Sequence, residues 1–314
     1  MAATPTKAQP ITPANDNTGT TVNQNGNQFD IQGGTRSGAN LFHSFDQFNL
    51  NSGQTANFLT TPDTTNILGR VTGGNASYVN GLIQVLGGNS NLFLMNPAGI
   101  ILGQNASLNI PASFSVTTAT GIGFDNNNFG FKAIGTNDYS KLVGNPSGYR
   151  FNLSNPGALV NEGNLSLNPG ENLTLLGGTV INTGQLSAPG GNITIAAVEG
   201  GSTLRISQPG NLLSLEVETF HATSLQNGED ANINALSLPE LLTRGNITHA
   251  SSVTVNADGD VVLTDSNTII ADTPGTTIIS GSVNVSIPPN PRSTKSAASS
   301  SFPLSKGEGK GIET

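Results

Sequence analysis

Between Asn91 and Ala119 the chain reads NLFLMNPAGIILGQNASLNIPASFSVTTA, with two unbroken apolar runs, Leu92 to Met95 and Ile100 to Leu102, parted only by Asn96-Pro97-Ala98-Gly99. Short strands buried on both sides have this pattern, and Asn-Pro followed by Gly supplies the turn between them. Farther on, the pattern changes to alternation. Leu173-Thr-Leu175 and Ile193-Thr-Ile195 each turn one side inward, and similar segments recur at Val253-Thr-Val255, Val261-Val-Leu263, Ile278-Ile279 and Val283-Asn-Val285. Gly, Asp-Gly or Pro-Gly turns separate them.

The alternating segments repeat. Val160-Asn-Glu-Gly-Asn-Leu-Ser166 returns as Ile181-Asn-Thr-Gly-Gln-Leu-Ser187, 21 positions later, and Glu171-Asn-Leu-Thr-Leu175 returns as Gly191-Asn-Ile-Thr-Ile195, 20 positions later. Two matches at nearly one offset predict a solenoid with coils of about 20 residues. A leucine-rich repeat shares this period but requires fixed leucine spacing with helical segments, which is absent. The expected fold is therefore all-β, a right-handed parallel β-helix, its hand following the general preference of parallel crossovers.

Organisation along the chain follows from where the pattern fails. Residues 1–20, rich in Pro, Thr and Ala, read as a flexible lead-in, and 287–314, a Pro/Ser/Lys segment holding four of the 12 basic residues, reads as a disordered tail. The β-helical domain is expected over 21–286. Within it 199–245 breaks the rhythm with six carboxylates (Glu199, Glu216, Glu218, Glu229, Asp230, Glu240) and reads as an irregular insertion on the solenoid's side, with one helical turn at Ser237–Thr243. Eleven of the 13 phenylalanines fall at or before position 151, so the first half is expected to have the bulkier core.

Composition supports a solenoid and narrows the chemistry. Only 10% of residues are charged, against roughly 25% in an average globular protein, while Gly, Asn, Ser and Thr are abundant. In stacked strands like charges repeated every ~4.8 Å repel, whereas Asn or Thr ladders hydrogen-bond from layer to layer. A formal net charge of −8 speaks against a nucleic-acid partner, which requires a basic stripe. Zero cysteines exclude disulfides and thiolate chemistry. No apolar run approaches the ~18 residues of a membrane span, so stable membrane insertion is not expected, and residues 1–20 lack a signal-peptide pattern.

Candidate catalytic groups are few. Glu216 and Glu218, two apart on a predicted strand, would share one side about 7 Å apart, a spacing compatible with paired carboxylates in glycoside hydrolysis, but any solvent-facing strand looks the same. Asp258-Gly-Asp260 reads as a turn and lacks the spacing of a calcium loop. His43, His221 and His249 are not at metal-ligand spacing, and no Gly-x-Ser-x-Gly elbow or phosphate loop occurs. The expectation is a non-enzymatic, monomeric module with no cofactor and no metal. A carbohydrate-active β-helix enzyme, polysaccharide lyase or hydrolase, and a free-standing glycan-binding adhesin stand as alternatives, since the scaffold alone does not fix function.

Three ordered motifs give a family resemblance. Gly38-Ala-Asn-Leu-Phe-His-Ser-Phe-Asp-Gln-Phe48, Ile67-Leu-Gly-Arg-Val-Thr-Gly-Gly74 and Asn91-Leu-Phe-Leu-Met-Asn-Pro-Ala-Gly-Ile-Ile-Leu-Gly103 resemble the secretion (haemagglutination activity) domain of filamentous-haemagglutinin-like two-partner secretion exoproteins, especially cyanobacterial ones, from about Thr20 to Val285. The resemblance implies an N-terminal β cap, extra-helical β elements, and recognition by the periplasmic domains of a cognate outer-membrane transporter. It implies a secreted or cell-surface location reached through the periplasm of a Gram-negative-type bacterium, and a role in seeding β-helix folding. The family motif Asn-Pro-Asn-Gly-Ile matches Asn96, Pro97, Gly99 and Ile100, with Ala98 departing. The resemblance makes these residues a transporter-recognition element or an essential corner turn, the turn being the more direct role. The second family motif, Asn-Pro-Asn-Leu, has no literal counterpart; Thr65-Asn66-Ile67-Leu68 takes its place without proline.

Overall fold

A computed structural model describes residues 11–124, 128–206, 215–219, 235–244 and 250–287. It is a parallel β-helix whose coils each contribute strands to three faces. The first face stacks Asn40–Gln47, Asn66–Val71, Asn91–Met95, Phe114–Thr117, Leu173–Gly177 and Ile193–Ala197. The second stacks Ser77–Val79, Ile100–Leu102, Ala158–Asn161, Thr179–Asn182 and Thr277–Ile279. The third runs from Gln28–Gly33 through Thr55–Leu59, Leu82–Leu86, Ser107–Asn109, Asn164–Ser166 and Gln185–Ser187 to Ser282–Asn284.

The sequence repeat is the stacking register itself. Val160 pairs with Ile181 and Leu165 with Leu186, 21 residues on, while Leu173 pairs with Ile193, 20 residues on. Earlier coils are longer: Asn40 pairs with Asn66, Asn66 with Asn91 and Thr55 with Leu82. Their extra residues sit in corners, so the stack keeps its register although the sequence period drifts.

Polar ladders join the layers as composition suggested. Asn66 Nδ2 donates to Asn40 Oδ1 at 2.9 Å, Asn91 Nδ2 donates to Asn66 Oδ1 at 2.9 Å, and Asn91 Oδ1 accepts from Ser113 N at 3.1 Å. A second ladder joins Asn161 Nδ2 to Asn182 Oδ1 at 2.7 Å. On the third face Asn109 donates to Gln84, Gln84 to Asn57 and Asn57 to Asp30. A buried carboxamide makes such bonds without the desolvation cost of an ion.

The N-terminal end is capped. Thr20–Asn25 pairs antiparallel with Gln28–Gly33, and Thr12–Pro13 pairs antiparallel with the first strand of the first face, covering edges that would otherwise invite foreign strands. Phe29, Phe45, Phe48 and Phe58 fill the interior beneath, with Phe45 edge-on to Phe48 at 5.1 Å. Residues 11–20 take part in this cap despite their lead-in composition. Arg70, buried, donates to Asp16 Oδ2 at 2.7 Å, to Ser44 Oγ at 3.1 Å, and to the carbonyls of Lys132 and Gly135 at 2.8 Å. Burial pushes the Asp16 carboxyl up, but hydrogen bonds from Ser44, Thr18 and Arg70 together bring it below its ordinary value. Residues 1–10 and 288–314 lie outside the described residues.

Two excursions leave the solenoid at one corner, between the first and second faces. The first spans 118–157 and the second 198–276. Gly121–Phe124, Asn128–Lys132 and Pro146–Phe151 from the first join Ser202–Ile206 and Leu215–Thr219 from the second in one antiparallel sheet. That sheet buries Ile122, Phe124, Phe131, Tyr149 and Phe151 against the outward side chains Phe42, Leu68, Met95 and Leu176 of the first face. The remainder of the second excursion carries a helix, α1 (Leu238–Thr243), and an antiparallel meander of Val253–Val255, Val261–Leu263 and Ile269–Ile270, both packed on the second face.

The span 199–245, expected to be irregular, thus includes two sheet strands and α1. Val253–Val255 and Val261–Leu263, which alternate like coil strands, belong to the meander. Only Thr277–Ile279 and Ser282–Asn284 return to the coil, stacking on Thr179–Asn182 and Gln185–Ser187.

Candidate functional site

The turn Asn96–Ile100 occupies the corner from which the excursions leave, one coil before the first of them. Its flanking apolar runs are buried on both sides for different reasons. Leu92, Leu94, Ile100 and Leu102 point into the solenoid, whereas Met95 points under the antiparallel sheet and Ile101 under the helix and meander.

Within the turn Asn96 is the organising side chain. Its Oδ1 accepts from Ala98 N at 3.0 Å, and its Nδ2 donates to Asn75 O at 2.9 Å and Ser77 Oγ at 3.0 Å, so one carboxamide closes its own turn and fastens it to the coil below. The backbone completes the corner: Asn96 N donates to Thr117 O at 3.0 Å, Gly99 N to Asn96 O at 3.2 Å, and Ser77 N to Gly99 O at 3.0 Å. Pro97 begins the turn with its fixed φ and lacks an N–H that would need a partner. Gly99 adopts φ +123°, which L side chains rarely take, and a Cβ there would lie 3.0 Å from Leu241 Cδ1.

Every residue of the turn is buried; Asn96 and Ala98 are each 1% exposed. The cover comes from far along the chain. Leu236 N donates to Ala98 O at 3.2 Å, and α1 sets Leu238, Leu241 and Leu242 into a cluster with Ile101, Ala158, Val160 and Ile181. The helix forms where predicted, with Ser237 as N-cap and Glu240 completing a capping box, which lowers the Glu240 carboxyl through hydrogen bonds from Ser237.

At the position of the second family motif, Asn66 N donates to Ala39 O at 3.2 Å while its side chain carries the first-face ladder. A proline there would remove that N–H, which gives a physical reason for the departure.

Glu216 and Glu218 lie on Leu215–Thr219, in register with Arg205 and Thr203. Asn256 Oδ1 accepts from Asp258 N at 3.0 Å and Asp260 N at 2.8 Å, making Asp258-Gly-Asp260 a hairpin turn. Among the described residues no cluster of His, Asp or Glu has the arrangement of a metal site. His43 is buried beside Phe45 and Phe58, and burial pushes its pKa down to about 4. His221 and His249 lie outside the described residues. A cleft of about 420 Å³ opens between the second face and the meander, lined by Tyr78, Gln104, Glu162 and Ser251 among others. Glu162 Oε1 accepts from the backbone N–H groups of Ser251 and Ser252, and Oε2 from the N–H and hydroxyl of Ser251, so this carboxylate fastens the meander to the solenoid. Among the described residues no helix is long and apolar enough to cross a membrane.

The cap, the three-faced coil and the turn belong together in one class of module, the β-helical secretion domain. Residues 8–249 match the TPS secretion domain family, and the chain belongs to that family, the secretion domains of two-partner secretion exoproteins. No curated protein matches the chain. Among solved structures it is similar to the HMW1 secretion domain from Haemophilus influenzae, with 23% identity over 66% of this chain and 48% of that one and a TM-score of 0.45. The chain thus spans about half the length of that structure.

Proposed function

We propose that this chain addresses an exoprotein to its cognate outer-membrane transporter, and that Asn96, Pro97, Gly99 and Ile100 belong to the segment the transporter reads. The observation that carries this reading is the complete burial of the turn. A buried element cannot be read in the folded domain, so recognition takes place in the periplasm on an extended chain, by strand addition to the transporter's periplasmic domains. The module then folds as a monomer at the cell surface, coil upon coil, each needing only its neighbour. Absence of cysteine suits this route, since no disulfide locks the chain before export.

A seeding role belongs to the same reading: among the described residues the coil strands Thr277–Ile279 and Ser282–Asn284 stack on the preceding coil in register, as a further coil would stack on them. The reading is of a binding and folding module, in keeping with the secretion-domain family that residues 8–249 match.

Co-expression with a candidate two-partner secretion transporter tests the reading. Wild-type chain is expected in the medium only when the transporter is present, and Asn96→Ala and Gly99→Val are expected to lower export. Transporter-independent release, or unchanged export of both variants, overturns it.

A further inference from the structure

The turn and its cover are far apart in sequence, and the difference has a direction. The hydrogen bonds that shape Asn96–Ile100 come from residues 75, 77 and 117, and Ile100 pairs with Ser77 and Leu159, so the corner is complete once the chain up to about 160 has folded. Its leucine cover arrives with residues 236–242. The cover is held mainly by its leucines, which meet Val253, Val261 and Ile270 of the meander as well as the second face. A six-residue helix does not persist alone in water; among the described residues, hydrogen bonds from Leu236 N to Ala98 O and from Leu238 N to Asp272 Oδ1 at 3.3 Å join α1 and its approach to the rest of the domain.

The coil beneath does not need this helix for its hydrogen bonds. Asn96 spends its carboxamide on Asn75, Ser77 and Ala98, all within the coil stack. Leu241 meets Gly99 where the lack of a Cβ leaves room for its methyl groups; an added Cβ would be 3.0 Å and 3.4 Å from them. Gly99 therefore serves two needs at once, the positive φ and the seat for Leu241.

We propose that α1 with Leu236 is a separable latch over the Asn96–Ile100 turn: it docks after the corner has formed, and its closure ends the turn's availability to the transporter. This rests on the recognition reading above and adds to it the device that makes recognition transient. Until the latch closes, the corner can open again to the extended form that the transporter reads; once it is closed, the finished domain has no affinity for the transporter and is free to leave.

Two variants of the full chain test this, with amide exchange and with retention on the immobilised soluble periplasmic portion of the transporter that exports the chain as readouts. Leu241→Asp should open the latch alone, raising exchange at Ala98 and Gly99 by at least about 100-fold, the scale set by withdrawing one buried leucine, while Leu94 and Leu175 keep native protection. Folded Leu241→Asp should then be retained where folded wild type passes through. The second variant, Ala98→Cys with Leu236→Cys, joins two residues whose backbones already hydrogen-bond, in a chain with no other cysteine. Oxidised, it should pass through with its turn protected even in mild urea; reduced, it should behave as wild type does there. Turn and coil amides accelerating together would show α1 to be part of one cooperative unit and overturn the latch. So would an opened Leu241→Asp that passes through while urea-unfolded wild type, diluted onto the column, is retained. If the unfolded chain also passes through, the recognition reading itself fails, and the latch with it.

Discussion

Replacing Asn96 with alanine is the sharpest probe of the corner. The substitution removes three hydrogen bonds and leaves Ala98 N–H, Asn75 O and Ser77 Oγ without their partner. Ala98 and Ser77 are 1% and 2% exposed, so two of these groups cannot turn to water, whereas Asn75 is only half-buried. An unsatisfied buried polar group costs about 1–3 kcal/mol, so the expected loss is about 3 kcal/mol, a large share of a stability of about 5–15 kcal/mol. Urea unfolding at pH 7, followed by circular dichroism, should show a lower midpoint with an unchanged slope. A loss below about 1 kcal/mol would refute the claim that this carboxamide organises the corner. Measured beside export, the same variant separates two roles: destabilisation with undiminished export would leave Asn96 a corner residue only.

Gly99→Val should cost about 1–3 kcal/mol for the strained φ alone and more for the encounter with Leu241, and pairing it with Leu241→Ala should recover the steric part but not the strain, as read by thermal unfolding. His43 makes stability pH-dependent. Its folded pKa of about 4 lies below the ordinary 6.5, so as pH falls through this window the unfolded chain binds a proton that the fold refuses, and about 3 kcal/mol is lost between pH 6.5 and 4. His43→Phe should flatten that part of the stability profile; an unchanged slope would show that the acid sensitivity lies elsewhere. Arg70→Met strands Asp16 and should cost about 3 kcal/mol, with proteolysis near residues 11–18 as the readout, and adding Asp16→Asn should restore much of the loss if the ion pair is what pins the cap.

Local pattern carried the coils. Stacked strands repeat because each coil meets the same neighbour environment, so the match of Val160–Ser166 to Ile181–Ser187 appears both in the sequence and as cross-strand register. The corner at Asn96 was equally legible, because Asn-Pro and Gly have specific backbone requirements. What local pattern could not carry was the partner of each strand. Val253-Thr-Val255 and Val283-Asn-Val285 alternate alike, yet the first belongs to an antiparallel meander and the second joins the coil stack through Val283 and Asn284, since period-2 alternation reports one buried side and not what buries it.

The same limit explains the excursions. The outward apolar residues Phe42, Leu68, Met95 and Ile101 announce that something covers the solenoid, but the cover is supplied by segments as distant as Leu204 and Leu241. By itself the sequence determined a stacked β-helix, its polar ladders and the turn at Asn96 to Ile100, because these depend on near neighbours and repeated spacing. Only the tertiary structure decided that both excursions leave at one corner and that α1 closes over the turn, because burial there is a contact between residues some 140 positions apart.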